Sequence, residues 1–387
     1  MAKLYAKPSS ISAMTANKTK WVRLGDYIES VDERNREGKY TVEDVRGVAN
    51  TKGFIYTKAN ISDRDLSSFQ VVNPTYFAFN RRTTRNGERL GLGYNDTHST
   101  FICTEDYVVF KIKDEKRGKL HPCFLYILFL RDEFDRYVRY DSWGSATEFF
   151  NWSNMQDLRI PLPSMEVQRD LVATYEGLKC LAEENEALIA PLTEACQAFI
   201  VDCKRKYQEV QLGEFIEEVD ERNSDLSVTL SQGVDVNMTF IPAKREAEDK
   251  QNAKIVREDQ FAYNKVVKSN GTKLPLALRK GEPCFISSSY SVFRIIDEAR
   301  IIPGFLFLLL SRSEFHRYCG YKAEGTTRDV FSFSELCRIR IPLPPLEVQQ
   351  SIVRLYHCIE EAKRIAREAR ECLGTLCPAL VQYAIEA

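Results

Sequence analysis

The feature that most constrains this chain is a five-residue segment that occurs twice, each time followed by a long heptad pattern. Arg159-Ile160-Pro161-Leu162-Pro163 returns as Arg340-Ile341-Pro342-Leu343-Pro344, 181 positions later (342 − 161). After each copy, seam residues recur at alternating steps of four and three, which is typical of a coiled-coil helix. The first seam runs through Val167, Leu171, Thr174, Leu178, Leu181, Asn185, Leu188, Leu192, Ala195 and Phe199, and the second through Val348, Ile352, Leu355, Ile359, Ala362, Ala366, Ala369, Leu373, Leu376 and Leu380.

The segments before the two helices form a second repeat. Residues 24–35 and 212–223 both begin with Leu-Gly and an acidic residue and end with Asp-Glu-Arg-Asn, and Phe79-Asn80 corresponds to Tyr263-Asn264. Between these matches, residues 37–73 resemble residues 225–259 very little. Matching residues at the start and end of each copy, with different residues between them, predict one fold used twice. We expect the two copies to perform the same kind of task on two targets.

The predicted fold class is α+β, with two mixed modules joined by two long antiparallel helices in a pseudo-twofold repeat. We expect a tail at 1–20, a first module at 21–163, a first helix at 164–206, a second module at 207–344 and a second helix at 345–387. Strands are predicted at 76–80, 107–112, 260–267 and 290–296, helices at 122–137 and 303–318, and local breaks or bends at Pro191 and Pro378. A heptad helix of about 33 residues is about 50 Å long, so we expect the modules at opposite ends of the pair.

Composition excludes several classes of protein. The formal net charge is −1, so a nucleic-acid binder would have to concentrate its positive charge locally. The longest apolar runs, 123–130 and 301–310, are shorter than the roughly 20 residues of a membrane span, and the tail does not resemble a secretory signal. Eleven cysteines without a Cys-x-x-Cys pair, and four histidines, predict reduced thiols in a cytoplasmic protein without a metal site.

Positive charge is concentrated at equivalent places in the two modules, with Arg81, Arg82, Arg85 and Arg89 in the first and Lys265, Lys268, Lys273, Arg279 and Lys280 in the second. Arginine and lysine beside asparagine, threonine and glycine suit phosphate contacts and hydrogen bonds to base edges, so these clusters predict DNA binding. Taken alone, each cluster could equally be a solvated basic loop. The candidate DNA-binding residues are Arg81, Arg82, Thr84, Arg85, Asn86 and Arg89 in the first module, and Lys265, Lys268, Asn270, Lys273 and Arg328 in the second.

Taken in order, these motifs resemble the specificity subunits of type I restriction–modification systems. The resemblance extends from about residue 21 to the end of the chain and is most specific at 159–168 and 325–350. The second stretch runs from Gly-Thr-Thr-Arg through Ile-Pro-Leu-Pro to Glu-Val-Gln. The first module departs slightly, with Gly-Ser-Ala-Thr at 144–147 and with Ser164 where the second copy has Pro345.

The resemblance implies a division of labour. Each module would be a target recognition domain that reads one half of a bipartite DNA site, and the helices would set the length of the unread gap. Modification subunits, two in number, would methylate adenine with S-adenosylmethionine, and restriction subunits would supply a motor and nuclease. This chain would then be non-catalytic and would bind no cofactor itself.

An enzymatic alternative rests on Asn73-Pro74-Thr75-Tyr76, which resembles the Asn-Pro-Pro-Tyr signature of adenine methyltransferases. It lacks the second proline, the second module has no counterpart near 256–259, and no glycine-rich cofactor loop follows an upstream strand. A turn that leads into a strand is the better interpretation. No phosphate-binding GxxxxGK[ST] motif is present.

A third hypothesis is a coiled-coil scaffold that joins two protein partners without contacting nucleic acid. Salt dependence distinguishes it from a DNA reader, because phosphate contacts weaken steeply as salt rises.

Overall fold

The structure is a computed structural model that describes residues 19–57, 61, 64–82, 89–142, 149–243, 249–267, 273–323 and 329–386. The chain divides into two compact units: residues 1–184 with 365–387, and residues 185–364. Each unit contains one module together with part of each long helix. The division therefore falls inside the helices.

The first module is a twisted antiparallel sheet covered on both faces. Its four-stranded sheet has the order β2-β9-β6-β7, and three two-stranded pairs, β1-β10, β3-β4 and β5-β8, complete it. The strands are β1 Lys20–Arg23, β2 Ile28–Val31, β3 Arg46–Ala49, β4 Gly53–Tyr56, β5 Gln70–Val72, β6 Phe77–Asn80, β7 Leu92–Tyr94, β8 Phe101–Cys103, β9 Tyr107–Ile112 and β10 Arg159–Leu162. The helices are α1 Pro122–Phe129, α2 Asp132–Tyr140 and α3 Trp152–Asp157.

Side-chain alternation along the central strands separates two hydrophobic clusters. Phe77, Phe79 and Phe110 pack with the helices in one cluster, whereas Ala78 and Val109 pack in the other with the β3-β4 hairpin and the β5-β8 pair. Successive residues of a strand point to opposite faces of the sheet, so this apolar run buries both of its faces.

The second module repeats this arrangement, with a four-stranded sheet of order β12-β19-β16-β17 and the pairs β11-β20, β13-β14 and β15-β18. The strands are β11 Glu209–Gln211, β12 Ile216–Val219, β13 Gln232–Val234, β14 Phe240–Pro242, β15 Lys254–Val256, β16 Phe261–Asn264, β17 Leu276–Leu278, β18 Cys284–Ile286, β19 Tyr290–Ile295 and β20 Arg340–Pro342. The helices are α5 Pro303–Leu310, α6 Ser313–Lys322 and α7 Phe333–Cys337. The predicted α+β class is confirmed.

The prediction of one helix at 122–137 and one at 303–318 was wrong, because each of these segments forms two helices. The break falls at Arg131 and Arg312, whose ψ angles of 145° and 149° are extended. Each arginine then pairs with a glutamate two residues later, Glu133 and Glu314. Hydrophobic spacing alone did not reveal this break, since apolar residues continue across it.

The repeated Leu-Gly motif is explained by close packing. A Cβ on Gly25 would lie 2.8 Å from Cβ of Gln156, and one on Gly213 would lie 2.8 Å from Cβ of Cys337. Both neighbours belong to the last helix of their own module, α3 or α7. Glycine at these positions lets the chain pass directly against that helix.

The repeated Glu-Val-Gln motif places a buried glutamine at the start of each long helix. Gln168 donates from Nε2 to the carbonyls of Lys119 and Pro163, both at 2.9 Å, and accepts from the His121 N–H at 2.8 Å. Gln349 makes the same three bonds in the second unit, with Arg300, Pro344 and Ile302. Each glutamine therefore fastens a long helix to the segment that precedes α1 or α5.

The long helices are α4 Met165–Lys206 and α8 Leu346–Glu386. The predicted breaks did not form, since α4 continues through Pro191 and α8 through position 378. Pro191 is exposed, so the carbonyl that loses its helical partner there can bond to water. None of the described helices combines the length and apolar content that crossing a bilayer requires.

The predicted heptad seam holds in α8 but only half of it holds in α4. In α8, Ile352, Ile359 and Ala366 are buried as expected. In α4, the row that contains Leu171, Leu178, Asn185 and Leu192 faces inward, but Leu181 and Leu188 are 43% and 49% exposed. The inward row beside it is displaced by one residue and consists of Tyr175, Ala182, Ile189 and Cys196.

Each unit pairs opposite ends of the two helices. In unit one, Leu171 and Leu178 of α4 share a hydrophobic cluster with Leu380 and Val381 near the end of α8. In unit two, Leu192 and Cys196 of α4 share a cluster with Ile352 and Ile359 near the start of α8. Within each unit, the end of one helix accompanies the beginning of the other, as an antiparallel pair requires.

Candidate nucleic-acid interface

Two candidate segments of the first module attach to the sheet side by side. Arg82 forms an isolated antiparallel bridge with Phe149, and the Phe150 N–H donates to the Arg81 carbonyl at 2.9 Å. Arg82 precedes residues 83–88 of the basic cluster, and Phe149 follows residues 143–148, which contain the Gly-Ser segment. The roots of these two segments therefore meet just beyond the end of β6.

The second module repeats this arrangement with different side chains. Val266 bridges Val330, the Val267 N–H donates to the Asp329 carbonyl at 3.0 Å, and the Phe331 N–H donates to the Lys265 carbonyl at 2.9 Å. Residues 268–272 and the Gly-Thr segment 324–328 attach at this point. The sequence repeat is thus a repeat of one meeting point of two segments.

An asparagine shapes the entrance to each basic segment. The Asn80 side chain accepts from the Arg82 N–H, and the Asn264 side chain accepts from the Val266 N–H, both at 3.0 Å. Such asparagine turns let the chain leave a strand sharply. The repeated aromatic-Asn pair therefore shapes the turn that ends the strand before each candidate segment.

The exit of each basic segment is held by a buried side chain of a helix. The Leu90 N–H donates to Oδ1 of Asp135 on α2 at 3.3 Å, and the Leu274 N–H donates to Nδ1 of His316 on α6 at 3.3 Å. Asp135 and His316 occupy the fourth position of their helices. Each therefore accepts the N–H of the exit residue, one with a carboxylate oxygen and the other with an imidazole nitrogen.

The predicted DNA-binding residues within the described part of the chain lie at these entrances and exits. Arg81, Arg89 and Lys273 are exposed, while Arg82 and Lys265 are half-buried. Two of them form long ion pairs, with Arg89 3.9 Å from the carboxylate of Asp132 and Lys265 3.7 Å from the carboxylate of Glu218. The remaining candidates lie outside the described residues: Thr84, Arg85, Asn86, Lys268, Asn270 and Arg328.

Two cations of the second basic cluster belong to the structure of the module. Arg279 is 7% exposed and donates to the Glu282 carbonyl and to Oε1 of Gln232. Lys280 pairs with Asp259. The sequence alone grouped them with Lys265 because it could not show that these arginine and lysine side chains are already engaged.

Sequence reasoning missed a hairpin that occurs in both divergent interiors. The strands β3-β4 and β13-β14 form equivalent antiparallel hairpins. A short pattern marks both, with Gly-Val at 47–48 and 233–234 and Phe-Ile at 54–55 and 240–241. The five residues between these two pairs differ at every position in the two copies, so the match is not evident from the sequence.

The segment behind the enzymatic alternative is a turn in both modules. The Tyr76 N–H donates to the Asn73 carbonyl, and the Gln260 N–H donates to the Arg257 carbonyl, both at 3.1 Å. Thr75 and Asp259 adopt left-handed φ angles of 69° and 61°. The Asn73 amide is also engaged, since it donates to Glu33 and accepts from Thr100, so its contacts are those of a structural turn.

Burial lowers the pKa of two groups near the interface. Burial lowers the pKa of Lys52 at the tip of the β3-β4 hairpin, and the carboxylate of Asp135 opposes that shift. Burial, together with the charge of Lys273, lowers the pKa of His316. His316 is therefore held as the neutral imidazole, the form in which Nδ1 can accept the Leu274 N–H.

Comparison with known proteins gives one family match and several structural matches. Residues 204–366 match the family model described as the type I restriction modification DNA specificity domain. A type I restriction–modification S subunit from M. genitalium superimposes with a TM-score of 0.58 at 13% identity, covering 96% of this chain and 97% of that one. The HsdS subunit from Thermoanaerobacter tengcongensis has 18% identity, the same coverage and a TM-score of 0.38. No curated protein matches significantly.

The family match covers the second module and the start of α8, and the first module repeats the fold of the second, strand for strand. The structural match at a TM-score of 0.58 extends over both modules and both long helices. Residues 204–366 are therefore similar to the type I restriction modification DNA specificity domain, and the fold of the chain is similar to that of the solved S subunit.

Proposed function

We propose that this chain reads a bipartite duplex DNA site, with one module for each half-site. The observation that carries the proposal is that two candidate segments attach side by side in each module. They are joined by the Arg82–Phe149 bridge beyond the end of β6 and by the Val266–Val330 bridge beyond the end of β16. In both modules, one of these segments lies within a cluster of cations: Arg81, Arg82, Arg85 and Arg89 in the first, and Lys265, Lys268 and Lys273 in the second. Two modules with the same fold and different surface side chains suit a DNA target whose two half-sites differ in sequence.

The partners follow from the same proposal. The chain acts within a complex in which two modification subunits methylate adenine with S-adenosylmethionine and restriction subunits cleave, in the cytoplasm. The chain itself contributes DNA recognition and binds no cofactor. A methyl-donor binding measurement on the purified chain tests this point, and saturable binding without partners would contradict it.

Charge removal at the interface tests DNA recognition directly. Arg81→Ala with Arg89→Ala, and separately Lys265→Ala with Lys273→Ala, is expected to weaken binding of the assembled complex to its methylated genomic target. The slope of log affinity against log salt should fall by about one for each lost phosphate contact. Gel shifts over a salt series supply both measurements.

Arg117→Ala with Lys119→Ala is the matched control, because it removes two exposed cations from the first module near the start of α1. It should leave both affinity and slope unchanged. Unchanged binding in both interface variants would remove these residues from the interface. A complex that binds no duplex even at low salt would instead favour the protein scaffold.

A further inference from the structure

The β3-β4 and β13-β14 hairpins are two copies of one ribbon with different tips. Phe54 packs in the cluster on the outer face of the first sheet, and Phe240 packs in the corresponding cluster of the second. The tip in each case turns through a left-handed residue, Lys52 or Met238, both with φ of 64°. Both also donate their N–H three residues back, to Ala49 or Asp235, at 3.2 Å.

In the first module, a buried charge pair holds the tip. Lys52 is 4% exposed and pairs with Asp135 of α2, and its ammonium lies 4.7 Å from the centroid of the Phe134 ring. The Tyr126 hydroxyl donates to the Lys52 carbonyl. Since Asp135 also accepts the Leu90 N–H, one carboxylate joins the hairpin tip to the exit of the basic segment.

In the second module, both members of the pair are replaced by uncharged groups. Met238 occupies the place of Lys52 and packs against the hydrophobic cluster of its module. His316 occupies the place of Asp135 and still accepts the N–H of the exit residue, Leu274. A lone charge at either buried position would be strongly destabilising, so the two positions must change together.

The side chains that the tips present differ in chemistry. Asn50 and Thr51 are exposed in the first module, and Val236 and Asn237 occupy the equivalent exposed positions in the second. Asparagine and threonine suit hydrogen bonds to base edges, and an apolar side chain suits contact with a thymine methyl group. The major groove also admits a two-stranded ribbon.

We propose that these hairpin tips are specificity-determining elements, which contact base edges of the half-sites while Arg81, Arg89, Lys265 and Lys273 contact phosphates. Lys52 and Asp135 are positioning residues, which fix the first tip relative to the basic segment. Met238 and His316 do the same in the second module without charge. This inference rests on the proposed function.

A tip transplant tests the assignment of specificity. Asn50→Val with Thr51→Asn gives the first module the two exposed tip residues of the second. The assembled complex then selects duplexes from a random pool. We expect the selected bases to change in one half-site only, with a loss of about tenfold or more in affinity for the wild-type duplex. The control Glu115→Gln, at an exposed position of the same module, should select the wild-type sequence.

A matched pair of variants tests positioning. Lys52→Met leaves Asp135 without its cation and should lower affinity for the selected duplex, whereas Lys52→Met with Asp135→His rebuilds the second module's arrangement and should restore it. Affinities refer to the folded, active fraction, determined by titration. A merely structural pair would change the yield of folded complex and leave the affinity of that fraction unchanged, which would overturn the positioning role.

The outcomes separate this inference from the function on which it rests. If the wild-type complex selects no common sequence, the proposed function fails. If the wild type selects a bipartite duplex and the tip variant selects the same one, the hairpins are not specificity elements and the proposed function stands.

Discussion

Gln168 and Gln349 show how a single residue can determine where an element begins. Each glutamine is fully buried and uses both its donor and its acceptor on backbone groups of its own unit. An alanine in its place would leave two carbonyls and one N–H without partners in a buried site. Such groups are expensive because water cannot reach them.

We therefore expect Gln349→Ala to lower the free energy of unfolding by about 2–4 kcal/mol, since one to three kcal/mol is typical for each unsatisfied buried group. Gln350→Ala, at the exposed neighbouring position, should change it by less than about 0.5 kcal/mol. Urea denaturation measures both. Equal losses in the two variants would show that the three hydrogen bonds do not stabilise the unit.

His316 gives the second unit a pH dependence. Burial and Lys273 lower the pKa of His316 in the folded protein, whereas an unfolded histidine has a pKa near 6.5. Protonation therefore favours the unfolded chain. The stability that neutral His316 contributes is complete above about pH 6.5 and is lost as the pH falls through the lowered value.

His316→Asn keeps an acceptor for the Leu274 N–H but does not titrate. The wild type should lose more stability than this variant between pH 7.5 and pH 5, as measured by urea denaturation at each pH. Parallel pH profiles for the two proteins would show that another group is responsible.

At the scale of elements, periodicity predicted the long helices but could not fix which rows of α4 face inward. In α4, apolar residues stand next to each other at Leu181-Ala182, at Leu188-Ile189 and at Ala195-Cys196. Either member of each pair completes a heptad pattern, so the pattern has two solutions. In the structure, the second member of each pair is less exposed than the first.

In α8, seam residues are flanked by charged ones at Glu361-Ala362-Lys363 and at Glu368-Ala369-Arg370. The pattern there has a single solution, and the predicted row is the buried one. The sequence predicted the two central strands of each four-stranded sheet, but it missed the interior hairpins, because their two copies share too few residues. At the candidate interface, the sequence located the basic segments but not their junction with residues 149 and 330.

The outward row of α4 leads to a prediction about partners. Leu188 and Phe199 are 49% and 56% exposed, and eleven residues along a helix place them on nearly the same face. Leu188→Glu with Phe199→Glu should abolish copurification with the modification subunits while leaving thermal stability close to that of the wild type. Affinity tags on the two subunits report the association.

Ile189→Glu is the contrasting variant, because Ile189 faces the hydrophobic cluster of unit two. It should lower thermal stability as well as association. Normal copurification of the Leu188 and Phe199 variant would show that the modification subunits bind elsewhere.

At the scale of the whole molecule, the hypothesis that the long helices set the length of the unread gap can be tested by lengthening them. Insertion of seven residues into α4 after residue 184, and into α8 after residue 364, lengthens each helix by about 10 Å. That length equals the rise of about three base pairs. The unread gap of the methylated sequence should grow by about that number while both half-sites keep their bases, as mapping of methylated adenines would show. A changed half-site with an unchanged gap would contradict the hypothesis.

The pairing of β1 with β10 bears on how such a chain can acquire a new target. Lys20 lies opposite Leu162, and Glu209 lies opposite Pro342 in the corresponding pair β11-β20. The polypeptide thus enters and leaves each module through neighbouring strands of one ladder. A module of the same fold from another protein could be joined at these two strands and would contact the same helix in the same way. Exchange of one module would therefore change the DNA sequence that is recognised without changing the helices.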